Sequence, residues 1–294
     1  MEPTYLRFTP GLADWIRLKL QQGEESGKVL LEMHANGMPL EVAKVIWDAF
    51  LSARHQGLPL PFDRVAAPSA QAAYVYGASR LGEKSVLTTH DRLIQVLARA
   101  EQPCIAVLGN VMSDVECAQL IEMARPRLAA STLVDPTTGH DTISEKRQSY
   151  GMFFKLRENE LVARLDQRLS EIMRQPVGHG EGIQILYYPE GALSAPHQDY
   201  LLGSNPANRA SIERSGQRIS TLVTYLNRVE AGGETEFPLA GWRVTPAQGN
   251  AVYFEYSNSL HQLDHASLHS SRAVQQGEKW VATKWMRERK FVSL

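Results

Sequence analysis

From Pro103 onward the chain reads as short apolar segments separated by Gly- and Pro-containing turns, and that pattern restricts it to a sheet architecture. Cys104–Leu108, Ser149–Phe154, Gly182–Tyr188, Ile219–Leu226, Asn250–Tyr256 and Lys279–Met286 all have strand length and strand-forming residues. Many short strands with turn signals between them predict a β-sandwich or barrel. A helix interrupts the series. Ser113-Asp114-Val115-Glu116 opens it, with Ser113 placed to cap and Glu116 three residues on, and it runs to about Arg127.

The first hundred residues have a different texture. Leu12, Trp15, Ile16 and Leu20 recur at helical spacing, as do Val42, Val45, Ile46 and Leu51. Asn36-Gly37 ends one helix, and Pro39 suits the first turn of the next. These features predict a small helical bundle over 10–56; the sharper alternative is a groove for a partner. Leu58–Pro61 and Ala66–Ala73 read as a connector, and residues 85–100 return to helical spacing. The expected division is a helical region at 1–100 and a mainly β domain at 101–294.

Composition excludes several classes of function. The 294 residues carry a formal net charge of -1, with 43% hydrophobic and 21% charged residues. That is enough for a sizeable core and two domains, and it lacks the basic footprint of a general nucleic-acid binder. Cys104 and Cys117 each lie in an apolar stretch, so a reducing compartment is expected. The start lacks a basic region followed by an apolar run, and no segment has the length of a membrane span. The expectation is a cytoplasmic protein that binds neither membrane nor nucleic acid.

The segment 187–200, Tyr-Tyr-Pro-Glu-Gly-Ala-Leu-Ser-Ala-Pro-His-Gln-Asp-Tyr, predicts strand, turn and strand. In extended backbone, residues two apart project to the same side. His197 and Asp199 therefore converge while Gln198 points away. With one further imidazole, from His261, His265 or His269, they make the two-histidine, one-carboxylate face that holds Fe(II) and leaves positions open for oxygen chemistry. Gly203–Gln217, polar and rich in Ser and Asn, reads as a mobile lid loop near the site mouth.

Further segments stand in a fixed order around this pair. They are Asp135–Gly139 with Arg147-Gln148-Ser149, Glu181–Gln184, Tyr188–Gly191, Tyr225-Leu226-Asn227, Gly232–Pro238, Pro246 with Gly249, His269, Gly277–Trp280, and Thr283-Lys284-Trp285. In order and spacing, the stretch from about Cys104 to Met286 resembles the prolyl 4-hydroxylase branch of the Fe(II)- and 2-oxoglutarate-dependent dioxygenases.

The resemblance implies a double-stranded β-helix (jelly-roll) catalytic domain with an N-terminal helical extension. It selects His269 as the third ligand, because Lys279 follows it by ten residues (279 − 269) and Trp280 by eleven. It assigns Lys279, Thr235 and Tyr188 to 2-oxoglutarate, and Arg218 and Trp285 to the substrate. Physically, a dicarboxylic cosubstrate in an apolar barrel needs a cation, and the alternation of Lys279, Val281 and Thr283 lets that lysine face inward. Glu181 and Gln184 are candidates for orienting the metal layer through hydrogen bonds.

Two departures bear on the substrate. The family's usual tyrosine three residues before the first histidine is Ser194, and a common proline downstream of the distal histidine is Ala273. The implied reaction hydroxylates a C–H bond, consumes O2, and turns 2-oxoglutarate into succinate and carbon dioxide. Ascorbate is a candidate reductant. A prolyl residue in a peptide or protein is the expected target. The alternatives are a free amino acid or other small molecule, a non-catalytic interaction module of the same fold, and oxidative demethylation of nucleic acid.

Overall fold

The structure, a computed structural model of the chain, describes residues 5–55, 57–66, 74–130, 132–134, 141–143, 149–203 and 205–293. Three helices come first: α1 (Pro10–Gln21), α2 (Ser26–Ala35) and α3 (Leu40–His55). Thr9 caps α1, and Pro10 takes its first position, where a missing N–H costs nothing. The apolar stripes bury Ile16, Leu20, Val29, Leu30, Ile46, Trp47 and Phe50 in a core of their own. A two-stranded ribbon, Tyr5–Arg7 against Arg64–Ala66, closes this module. Leu58–Pro61 is irregular, as a connector should be, whereas 67–73 lie outside the described residues.

All the longer strands expected from sequence are present. They form a nine-stranded antiparallel sheet in the order Val86–Thr88, Leu93–Ala100, Ile105–Gly109, Ala251–Glu255, Arg218–Tyr225, Lys279–Arg287, Ile183–Tyr188, Tyr150–Phe154, Ala129–Ala130. A four-stranded antiparallel sheet faces it, in the order Ser194–His197, His269–Ser271, Thr235–Phe237, Trp242–Val244. The two sheets make the expected jelly roll. Between them lie Leu186, Tyr188, Tyr225, Phe237, Val252, Phe254 and Val281.

The outer face of the large sheet is covered by two helices, α4 (Asp114–Ala124) and α5 (Glu160–Met173). Ser113 and Glu116 form the expected capping box on α4. Neither pattern nor resemblance had singled out α5. Its Leu165, Leu169 and Ile172 pack on Trp280, Ala282 and Met286. Alternation along Lys279–Met286 therefore sends even-numbered residues toward the helices and the odd-numbered Lys279, Val281, Thr283 and Trp285 toward the cavity.

Two expectations are corrected. Residues 85–100 are not helical: Val86–Thr88 and Leu93–Ala100 are strands of the large sheet, and a register shift between Val96 and Ala98 spoils the two-residue alternation that would have marked them. The helical part of the N-terminal region is thus Pro10–His55. Nor is Gly203–Gln217 a loop: it contains α6 (Pro206–Ser215), capped by Asn205, and the chain end latches it in place. Arg287 donates to Ser211 O and Gly216 O, and Arg289 to Ile212 O and Glu213 O. The expected landmarks Asp135–Gly139, Arg147 and Gln148 lie outside the described residues.

Candidate active site

The strand Ile183–Tyr188 ends in a turn at Gly191, whose φ of 81° suits glycine. The chain then enters Ser194–His197, which pairs antiparallel with His269–Ser271 so that His197 and His269 are direct cross-strand partners. This pairing, invisible in sequence, brings the distant imidazoles together with ring centroids 4.4 Å apart. Asp199 follows two residues on, and the candidate ligand atoms of His197, Asp199 and His269 all lie within 4.8 Å of one another. The other two histidines are elsewhere. His261 is exposed and faces Glu288 at 3.1 Å, and His265 Nδ1 lies 2.6 Å from Tyr200 Oη.

Each imidazole is fixed through its far nitrogen. His197 Nδ1 lies 2.8 Å from Ala195 O, and His269 Nδ1 lies 3.1 Å from Ser267 O. A carbonyl can only accept, so Nδ1 carries the proton and Nε2 presents its lone pair toward the carboxylate. The Nε2 atoms stand 3.7 Å from Asp199 Oδ1 and 3.7 Å from Asp199 Oδ2. Burial works against ionised Asp199. Opposing burial are the two imidazoles whenever they carry a proton on both nitrogens, the Arg218 guanidinium and a 2.7 Å bond from Thr221 Oγ1, which together hold its carboxyl below the usual carboxylate range. Two neutral nitrogens and one ionised oxygen on one side of a cavity fit Fe(II) and leave its other positions free.

The cavity holds about 470 Å³ of empty space counting its open mouth. At its inner end Lys279, only 2% exposed, donates from Nζ to Ser271 Oγ at 2.8 Å and lies over the rings of Tyr188 and Tyr225. Among the described residues no carboxylate is within ion-pair distance of it. Burial pushes its pKa down to about 7, with only Glu234 opposing. Tyr225 Oη donates to Thr235 Oγ1 at 2.8 Å, so the threonine proton is free to donate onward. An ammonium, a hydroxyl and an aromatic wall thus meet where a terminal carboxylate would be received. Lys279, Thr235 and Tyr188 are together, as expected.

The outer end is organised differently. Arg218 makes a two-pronged pair with Glu181, Nε–Oε1 at 2.7 Å and Nη2–Oε2 at 2.8 Å, and its Nη1 donates to Asp199 O at 3.2 Å. Its guanidinium stacks on Trp285 at 4.1 Å. In this arrangement Arg218 positions the Asp199 backbone and the Trp285 ring. Glu181, also bonded by Arg287, anchors it. Gln184 and Trp285 line the cavity, and Phe153 stands beside Trp285 with ring centroids 6.3 Å apart. Sequence reasoning had not singled out Thr221, Ser271 or Phe153. Strand parity offered a signal for the first, since Thr221, Val223 and Tyr225 share one face.

Comparison with known sequences agrees with this set of residues. The 2OG-Fe(II) oxygenase superfamily model matches residues 183–287, which contain the ligands and Lys279. Probable prolyl 4-hydroxylase 10 of Arabidopsis thaliana is 34% identical over 221 residues, covering 69% of this chain and 74% of the relative. Prolyl 4-hydroxylase 1 of the same plant is 38% identical over 202 residues, covering 64% and 70%. A solved structure of a viral collagen prolyl hydroxylase from Paramecium Bursaria Chlorella virus-1 aligns at a TM-score of 0.49 with 24% identity, covering 62% of this chain and 94% of that one. The chain belongs to the prolyl 4-hydroxylase family of 2OG-Fe(II) oxygenases.

Proposed function

We propose that this protein hydroxylates a prolyl residue within a peptide or protein. The observation that carries the oxygenase reading is one cavity lined by His197, Asp199 and His269 and by a buried ammonium, Lys279, that pairs with no carboxylate among the described residues. When bound there, Fe(II) and 2-oxoglutarate supply the oxidising power that places one atom of O2 into a C–H bond, with succinate and carbon dioxide as co-products. The chain's own residues do the rest. Lys279, with Thr235, receives the distal carboxylate of 2-oxoglutarate, and the ring of Tyr188 walls that pocket. The Ala195 and Ser267 carbonyls fix both imidazole tautomers, and Thr221 and Arg218 hold Asp199.

The peptide reading is supported at the mouth and by the relatives, which are named prolyl 4-hydroxylases. Trp285 and the half-exposed Phe153 offer flat apolar walls suited to a pyrrolidine ring. Two buried polar atoms there, Gln184 Oε1 and Trp285 Nε1, have no hydrogen-bond partner among the described residues. One accepts and the other donates, which is what the C=O and N–H of a bound peptide require. Ser194, on a strand that lines the cavity, replaces an aromatic with a small hydroxyl and leaves the grip on the ring to these walls.

The test is succinate release in the presence of proline-containing peptides, Fe(II), 2-oxoglutarate and O2, with mass spectrometry locating the added oxygen. Oxygen on a prolyl residue is the expected result. Succinate release stimulated by free amino acids but by no peptide refutes the peptide reading. Ascorbate as reductant belongs to the same proposal and is tested by omitting it.

A further inference from the structure

Residues 5–66 lie outside the stretch matched by the oxygenase model and own a separate core, yet they touch the metal layer directly. Gly27, in the first turn of α2, is packed so closely that a Cβ there would come 2.0 Å from Pro196 O and 3.0 Å from Leu268 Cδ1. Pro196 immediately precedes His197, and Leu268 immediately precedes His269. One helical glycine therefore abuts both ligand-bearing segments at once. A second point of support comes from α3, whose Glu41 faces His265 Nε2 at 3.6 Å. His265 in turn meets Tyr200 at 2.6 Å, and Gln198 Nε2 bonds its carbonyl at 3.5 Å.

The segment so gripped needs support. Ser194–His197 is the edge strand of the small sheet, and its pairing with His269–Ser271 is short and broken by a register irregularity. A short, irregular edge strand has few ladder bonds to hold a ligand in place. Its other flank is against α2.

We propose that the N-terminal helical module positions the metal centre: seated on Pro196 and Leu268, it sets where His197 and His269 stand, and so sets the affinity for the divalent ion. The proposal rests on the metal site assigned above. Gly27 is a positioning residue; it touches neither ion nor substrate.

The experiment is direct titration of the full chain with Co(II) under anaerobic conditions, following the visible d–d absorption, with Mn(II) as a second probe. Gly27→Ala, with folding checked by circular dichroism, should raise the dissociation constant by about tenfold and alter the Co(II) spectrum, the scale expected when groups behind a ligand are disturbed. Lys28→Ala, the neighbouring exposed position, should match wild type. A folded Gly27→Ala protein with unchanged affinity and spectrum overturns the proposal. Should that variant not fold, wild type still decides. Coupling is reciprocal, so Co(II) must slow amide hydrogen exchange in residues 26–35 as well as around the ligands. Absence of that slowing refutes the clamp. Failure of wild type to bind Co(II) or Mn(II) at all refutes the metal site instead.

Discussion

The terminal strand Lys279–Arg287 buries a lysine on each of its faces, and the two are treated in opposite ways. On the helix side, Lys284 Nζ meets Asp166 Oδ1 of α5 at 2.7 Å with both side chains fully buried. On the cavity side, Lys279 has a serine hydroxyl and two aromatic rings for company. A paired buried charge is structural: remove one partner and the other is stranded. An unpaired one is a receptor, because the fold bears the cost of burying it until an anion arrives. The cavity mouth repeats the first pattern, with Glu181 engaged by Arg218 and Arg287. Charge is therefore offered at the inner end of the cavity and neutralised at the mouth, which suits a dianionic cosubstrate inside and a neutral peptide outside.

The largest expected effect lies on the cavity face. Asp199→Ala or His269→Ala should abolish succinate release and Co(II) binding while circular dichroism stays native. A variant that unfolds would mean the triad is structural rather than a site.

The two lysines give the sharpest contrast. Lys279→Ala should raise the KM for 2-oxoglutarate at least about 30-fold, from the ~2 kcal/mol or more lost with a buried charged partner. The ligand-free fold should be no less stable, since an unpaired ammonium has been removed. Lys284→Ala should leave that KM alone and lower unfolding stability by about 3–5 kcal/mol, because Asp166 is left buried and unpaired. Urea unfolding and steady-state kinetics on both variants check this. Equal behaviour would erase the distinction.

The pH dependence has a sign. Lys279 is pushed from its ordinary 10.5 to about 7, and 2-oxoglutarate binds its ammonium form. Below pH about 7 the KM should be independent of this group; above it, KM should rise about tenfold per pH unit. Between about 7 and 10.5 the unfolded chain holds a proton that the ligand-free fold has released, so stability without cosubstrate should rise with pH across that window. Lys279→Arg should flatten the KM profile, because guanidinium stays charged.

Smaller effects are expected at the mouth. Arg218→Ala should reduce kcat by about tenfold by loosening Asp199, with a lowered melting temperature because Glu181 loses its two-pronged partner. A change in peptide KM alone would make Arg218 a substrate contact after all. Phe153→Ala should raise the peptide KM about fivefold, from ~1 kcal/mol of lost ring contact, and leave the 2-oxoglutarate KM unchanged.

Where sequence reading succeeded, neighbours along the chain carried the information. The capping box at Ser113 and Glu116, the apolar strands and the projection of His197 beside Asp199 all depend on short-range geometry. Where it failed, distant partners overrode local preference. Leu93–Ala100 has helix-forming residues but is held as a strand by Ile105–Gly109, and its bulge hides the alternation. Pro206–Ser215 is mostly polar and reads as loop; Arg287 and Arg289, some seventy-five residues away, hold it as a helix.

The ligand types, their order and the inward parity of Lys279 were set by the sequence alone, because side-chain direction in a strand follows from residue number. Tertiary structure alone decided the rest: that His197 faces His269 across a strand pair, that Lys284 has a carboxylate partner while Lys279 has none among the described residues, and that α2 rests on Pro196. Those outcomes depend on which strand lies beside which and how closely a helix approaches, and no local rule contains that information.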